Sequence, residues 1–158
     1  MTLIPRRILP PQDCAALLGL IQREFAYMEG RIDPPSSMLL LTEDAIARQA
    51  KDEEVWAIGS PPVACVFLTR KGDALYVGKL AVDRAHRGQG LAGQLLDLAE
   101  ERAVALGLSA LELQVRIELT ENHHTFAALG FTETGRTAHV GYDRPTSITY
   151  RRRVRGAS

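Results

Sequence analysis

Val82-Asp83-Arg84-Ala85-His86-Arg87-Gly88-Gln89-Gly90-Leu91-Ala92-Gly93 is the stretch on which the reading of the fold turns. It follows an apolar run, Ala74 to Val82, that predicts a strand. It leads into a helix from about Gly90 to Leu106, with Leu91, Leu95, Leu98, Ala99 and Arg102 marking one face and Gly107 as the stop. Glycines at such a junction let the backbone turn tightly and approach a ligand. The free amides of the helix start, together with its dipole, favour a bound anion, most naturally a phosphate group. Leu108 to Val115 reads as the next strand, and a strand–helix–strand unit requires a parallel crossover.

Upstream, Lys71-Gly72-Asp73 turns the chain between Ala74 to Val82 and an earlier run, Val63 to Thr69. Gly59-Ser60-Pro61-Pro62 separates that run from Val55 to Ile58, so the three form an antiparallel meander. Before it come a short strand from Leu3 to Leu9 and a helix with Asp13 as N-cap and Leu17, Leu18, Ile21, Phe25 and Met28 at helical spacing, stopped by Gly30. After a loop from Arg31 to Ser37, Thr42 caps a second helix through about Lys51. Downstream, Thr120 to Leu129 predicts a short helix ended by Gly130, followed by strands at Phe131 to Ala138 and Ser147 to Val154. No linker or repeat divides the chain. The reading is one domain over residues 1–158, with one mixed, mostly antiparallel α/β sheet and helices on both faces.

Composition agrees with an ordinary globular protein: 46% hydrophobic, 24% charged and a formal net charge of +0. No global field recruits nucleic acid or an anionic membrane, so neither is expected as a partner. The one dense basic run, Arg151, Arg152, Arg153 and Arg155, reads as a solvated edge strand or tail, with a contact to an acidic partner as the alternative. Cys14 and Cys65 match no metal or redox spacing, so no metal is expected and both read as small core residues. The N-terminus lacks the apolar core of a signal peptide, and the expected location is cytoplasmic.

Two ligands compete for the glycine turn. Gly88, Gly90 and Gly93 match G-x-G-x-x-G, and Glu112 stands about where a ribose-binding carboxylate would in a dinucleotide fold. The context argues against it, because five residues separate Val82 from Gly88 and too little chain follows for a run of parallel strands. The better match is Arg87-x-x-Gly90-x-Ala92 after a strand ending Lys79-Leu80-Ala81-Val82, with Leu111-Glu112-Leu113-Gln114-Val115 and Ala128-Leu129-Gly130-Phe131 downstream. Together with the order of elements, this resembles the GNAT N-acetyltransferases over nearly the whole chain.

The resemblance implies acetyl-CoA as co-substrate and a parallel strand pair that splays at the cofactor. The pyrophosphate would be cradled by Arg87, Gly88, Gln89, Gly90, Leu91, Ala92 and Gly93, and the pantetheine arm by the strand Leu80, Ala81 and Val82. It also implies a strand bulge, marked by Gly78, that frees an amide for the thioester oxygen. Asn122 and Phe126 would stand against the cofactor from the short helix. Phe126 occupies the position that often carries a thiolate-protonating Tyr, and Leu119 the one that often carries an Asn. The usual acid is therefore absent or moved, with His123, His124 and Tyr142 as candidates. Glu112 and Glu118 are the candidate bases. The acceptor, a small-molecule or peptide amine, would lie between two loops, Arg31 to Met38 and Thr137 to Thr146, where Ser36, Ser37, His139 and Arg144 could touch it. An acyl-CoA sensor without catalysis and a dinucleotide-dependent oxidoreductase are the alternative functions. A homodimer through an edge strand such as Ser147 to Val154 is expected as one possible assembly.

Overall fold

The computed structural model describes residues 4–155; Leu3, the expected start of the first strand, lies outside them. In chain order the elements are β1 (Pro5–Arg7), α1 (Cys14–Phe25), α2 (Glu43–Asp52), β2 (Glu54–Ile58), β3 (Ala64–Lys71), β4 (Ala74–Val82), α3 (Leu91–Ala105), β5 (Ala110–Arg116), α4 (Thr120–Ala128), β6 (Thr132–Thr137) and β7 (Ser147–Arg153). Short 3-10 turns stand at Ala26–Met28, Ser37–Leu40 and Arg84–His86. The seven strands form one sheet in the order β1-β2-β3-β4-β5-β7-β6. Every neighbouring pair is antiparallel except β4 and β5.

Period-two alternation along the central strands creates two apolar faces, and each face acquires helices. Val66, Leu68, Leu75 and Val77 join Leu111, Leu113 and Val115 in a core closed by Leu91, Leu95, Leu96, Ala99 and Ala103 of α3. Cys65, Phe67 and Ala81 point the other way, into a core with Leu17, Leu20 and Ile21 of α1 and Ile46 of α2. Each fully buried Leu or Ile side chain contributes about 1.5–3 kcal/mol. Both cysteines are free and buried, as read from the sequence, and burial pushes the Cys65 thiol up to about 12. Among the described residues, no helix is long and apolar enough to cross a membrane.

The structure corrects several local expectations. Asp13 precedes α1 in a left-handed conformation (φ 60°) and makes no side-chain cap; its carboxylate takes Arg6 at 2.9 Å instead. The α-helix ends at Phe25, and Met28 belongs to a 3-10 turn. Thr42 does cap α2, accepting the Ala45 amide at 3.1 Å. Ser147 to Arg153 is no edge strand, because β6 returns to pair along its outer side; the sheet edges are β1 and β6. Nor is the arginine run simply solvated. Arg151 reaches Asp73 at 2.5 Å, and Arg152 bonds the Leu129 carbonyl while covering the Phe131 ring.

Glu54, buried at the start of β2, ties the sheet to α3. Both its oxygens accept from Arg102 at 2.8 Å, and Oε1 also accepts from the Trp56 indole at 2.8 Å. Burial by itself raises this carboxyl, but the Arg102 and Trp56 hydrogen bonds and the Arg102 charge outweigh it and hold the group below its ordinary value. The depressed folded-state value means that the stabilisation is complete above the unfolded-state pKa and is lost as pH falls through the folded one. Arg102→Ala leaves a buried charge unpaired and is expected to cost about 3 kcal/mol in urea unfolding at pH 7. The gap from the wild type should narrow as pH drops through the acid range, and a gap constant down to acid unfolding would contradict this assignment.

Candidate functional site

Strands β4 and β5 pair over only three positions, Ala74 with Ala110, Leu75 with Leu111 and Tyr76 with Glu112. Beyond them the two strands separate. The cause on the β4 side is a bulge. Between the pairs Cys65–Ala81 and Phe67–Gly78, Lys79 and Leu80 of β4 stand against the single residue Val66 of β3. Lys79 is left-handed (φ 49°), a conformation that costs a non-glycine residue energy. The bulge therefore lies just beyond Gly78, where the sequence had placed its mark. The Tyr76 ring lies beside Gly78, where an added Cβ would meet it in ordinary contact at 3.4 Å.

The Asp83 amide bonds the Val63 carbonyl at 2.7 Å, which sets the alternation along the end of β4. Ala81 is directed towards β3, and Leu80 and Val82 turn their backbone groups to the open edge. The far edge of β5 is taken by β7, and on the near side, beyond Glu112, the Gln114 backbone meets the Tyr76 phenol instead of β4. The wedge between the strands is a cavity of about 240 Å³, walled by Tyr76 and Leu80 of β4, Leu113 and Arg116 of β5, Asn122 and Phe126 of α4, and Phe25 and Met28 beyond the end of α1.

At the mouth of the wedge the chain makes its glycine turn. Gly88 and Gly90 have φ of 81° and 77°, which only glycine adopts without strain. Gly90 is the N-cap of α3, and the first helical bond runs from the Gln94 amide to its carbonyl at 3.0 Å. The amides from Gly88 to Gly93 thus have no backbone partner among the described residues. A Cβ on Gly88, Gly90 or Gly93 would meet nothing within 4 Å, so this surface faces open space of the kind a phosphate group needs. Arg87 does not face it. Its guanidinium turns back to the buried Glu24 of α1 at 2.8 Å, and Glu24 also accepts the Arg84 amide at 3.3 Å. Arg87 fastens the turn, and the free amides and the helix dipole face the open space.

Asn122 and Phe126 stand in the wedge as read from the sequence. Asn122 donates to the Tyr27 hydroxyl at 3.1 Å, and Phe126 packs edge-on against Phe131. The sequence-derived catalytic candidates lie elsewhere. His123 places Nε2 2.9 Å from the Arg116 carbonyl, outside the wedge, and His124 is exposed. Glu112 is held by Lys71 at 2.9 Å and Arg151 at 3.5 Å. Glu118 accepts the Asp33 amide on Oε2 at 3.0 Å, leaving Oε1 buried and unpartnered among the described residues. Tyr142 donates to Asp33 Oδ1 at 2.5 Å, and Arg144 to Oδ2 at 3.1 Å.

Asp33 is therefore the clasp between the two loops expected to flank the acceptor. Arg116 reinforces it by donating to the carbonyls of Pro34 and Pro35. Ser36 caps its own 3-10 turn, and His139 bonds Thr146 within its own loop.

Four ionisable wedge residues, Tyr27, Tyr76, Lys79 and Arg116, escape the sequence reading. Burial, then the charge of Glu112, push the Tyr76 phenol up, so it stays protonated at neutral pH. Lys79 carries Nζ 5.1 Å from the centre of the Phe67 ring, and burial pushes its ammonium down. Alternation put Tyr76 and Lys79 on β4; that β4 and β5 would part at this point had no signal in their own residues.

The model of the acetyltransferase (GNAT) family matches residues 19–131. Among solved structures, the PaiA N-acetyltransferase from Thermoplasma acidophilum in complex with coenzyme A superposes with a TM-score of 0.78 at 10% identity, over 97% of this chain and 99% of that one. The ribosomal-protein-S18-alanine N-acetyltransferase from Escherichia coli gives 0.73 at 18% identity, over 99% and 97%. A GNAT-family acetyltransferase from Staphylococcus aureus Mu50 gives 0.72 at 15% identity, over 96% and 99%. Compared with the curated proteins, the chain matches none in sequence.

The clasp has a spectroscopic signature. The hydrogen bond to Asp33, with a smaller contribution from its charge, raises the Tyr142 phenol above its ordinary range. Phenolate absorbance of the wild type minus that of Tyr142→Phe isolates this group, and the isolated titration should move down in an Asp33→Asn background. An unmoved titration would mean that the two loops are not joined here in solution.

Proposed function

The chain belongs to the acetyltransferase (GNAT) family, and from that premise we propose that it transfers an acetyl group from acetyl-CoA directly to a primary amine. The observation that carries this reading is the conjunction of free strand edges at Leu80 and Val82 with the row of free amides from Gly88 to Gly93. An extended pantetheine arm can add to the β4 edge as a strand would, while the pyrophosphate meets the amides. When bound, acetyl-CoA supplies an acyl group activated as a thioester.

The roles of the chain's own groups follow from their surroundings. The backbone amide at the Lys79–Leu80 bulge is turned out of the β3 ladder and can donate to the thioester oxygen as negative charge grows there. We assign Glu118 the proton that the acceptor ammonium must lose: it lies beside the wedge against the Asp33 loop, and its Oε1 has no partner of its own. As the N–C bond forms and the C–S bond breaks, Tyr76 gives the departing sulfur its proton, and the second proton shed by the amine nitrogen restores the phenol through water. Tyr76 lines the wedge and is protonated at neutral pH, so we assign it this role ahead of Tyr142 and His123. One observation favours a second reading, an acyl-CoA-binding sensor without transfer. Phe126 stands in the wedge and carries no proton to give.

Gly93 tests the cofactor end cleanly, since its φ is ordinary and its Cβ direction is open. Gly93→Glu should leave the melting temperature near that of the wild type and weaken CoA binding at least about 100-fold in calorimetry, equivalent to about 2.7 kcal/mol. Unchanged affinity would remove the phosphate assignment.

The acid assignment is tested by release of free CoA thiol in the presence of amines. Tyr76→Phe should lower kcat by about 10²-fold with the KM for acetyl-CoA little changed, because a positioned acid typically contributes about 10²–10⁴-fold. Phe126→Tyr should raise kcat a few-fold at most in the wild type and restore part of the loss in Tyr76→Phe. If Tyr76→Phe keeps full kcat, solvent or a rim group delivers the proton. Absence of thiol release with any amine, alongside tight acetyl-CoA binding, would favour the sensor.

A further inference from the structure

A second cavity, of about 320 Å³, lies beyond the end of α1, between the Ala26–Met28 turn and the loop that leads to Met38. Phe25 and Met28 wall both this cavity and the wedge. A group whose amine reaches into the wedge past these two side chains has this cavity as its nearest enclosure. Its remaining apolar walls are Ala26, Ile32, Pro35 and Met38. Such a lining rewards removal of hydrocarbon from water and offers little to a polar body.

Charge around the acceptor region is largely paired. Asp33 is held by Tyr142 and Arg144, Glu121 by Arg31 at 2.7 Å, and Arg116 stands on the Pro34 and Pro35 carbonyls. Glu29 is the one carboxylate among the residues that line the apolar cavity.

Resting on the acetyl-transfer reading, we propose that the acceptor is a monoamine bearing an apolar group, which fills this cavity while the amine enters the wedge. The same chemistry is presented by a free aryl- or alkylamine and by a peptide N-terminus whose first side chain is large and hydrophobic. Polycationic amines are disfavoured by the apolar lining, which leaves their further ammonium groups without partners.

The test uses the full chain with acetyl-CoA and follows CoA thiol release. The amines are ethylamine, n-butylamine, n-hexylamine, 2-phenylethylamine, a Phe-Ala-Ala peptide amide, a Gly-Ala-Ala peptide amide, spermidine and kanamycin. kcat/KM should rise about fourfold per methylene along the alkyl series, the equivalent of burying each methylene. 2-Phenylethylamine or the Phe peptide should exceed the Gly peptide, spermidine and kanamycin at least about tenfold; whichever of the first two is better identifies the source. Ala26→Trp, which fills the cavity, should raise the KM for n-hexylamine about tenfold and leave those for ethylamine and acetyl-CoA unchanged. Met38→Glu, on the opposite wall, should do the same and guards against misfolding of the first variant. A flat alkyl series, or spermidine or kanamycin as the best acceptor, overturns the proposal and leaves acetyl transfer standing. If acetyl-CoA fails to bind in calorimetry, the transfer reading falls first.

Discussion

Everything in this molecule is arranged around the divergence of β4 from β5. Parallel strands ordinarily stay paired because each unpaired backbone group that leaves water costs free energy. Here pairing stops after three positions, and the β4 edge beyond Tyr76 no longer has β5 beside it. The bulge at Lys79 and Leu80 bends β4 away, and β7 holds β5 from its other side, so neither strand can relax towards its neighbour. An extended ligand that supplies donors and acceptors on its own backbone-like arm completes such a sheet.

Two buried carboxylates keep that opening in place. Glu54 anchors α3 to the start of β2 through Arg102, and Glu24 anchors the glycine turn to α1 through Arg87 and the Arg84 amide. Both pairs join elements far apart in sequence, and each immobilises one end of the α3 segment whose N-terminal amides face the open space. The net charge of +0 hides this arrangement, because charge in this protein is used in local pairs. The consequence for the ligand is specific. With Arg87 neutralised by Glu24, the turn attracts an anion through oriented dipoles, which fall off steeply with distance and select for close fit.

Much of the fold was legible in the sequence. Glycine punctuation, helical spacing in α1 and α3, and the meander turns located every major element, and the crossover rule made β4 and β5 the parallel pair. The motif at Arg87 to Gly93 pointed to the family; Phe126 and Leu119, counted from Gly130-Phe131, line the wedge, and so does Asn122, three residues from the counted position. What escaped was set by partners distant in the chain. Asp13 forgoes its cap because Arg6 competes for its carboxylate, and Ser147 to Arg153 is interior because β6 folds back on it. Tyr76 was missed for the same reason. It is the last β4 residue still paired with β5 and its side chain lines the opening just beyond, neither visible in its own residue type.

Amide hydrogen exchange with and without CoA tests the central claim most directly. The account predicts that CoA slows exchange at Leu80 and Val82 on the β4 edge and across Gly88 to Gly93, with Ala81, already turned to β3, little affected. Uniform protection throughout the protein, or protection that spares both the β4 edge and the glycine turn, would contradict it.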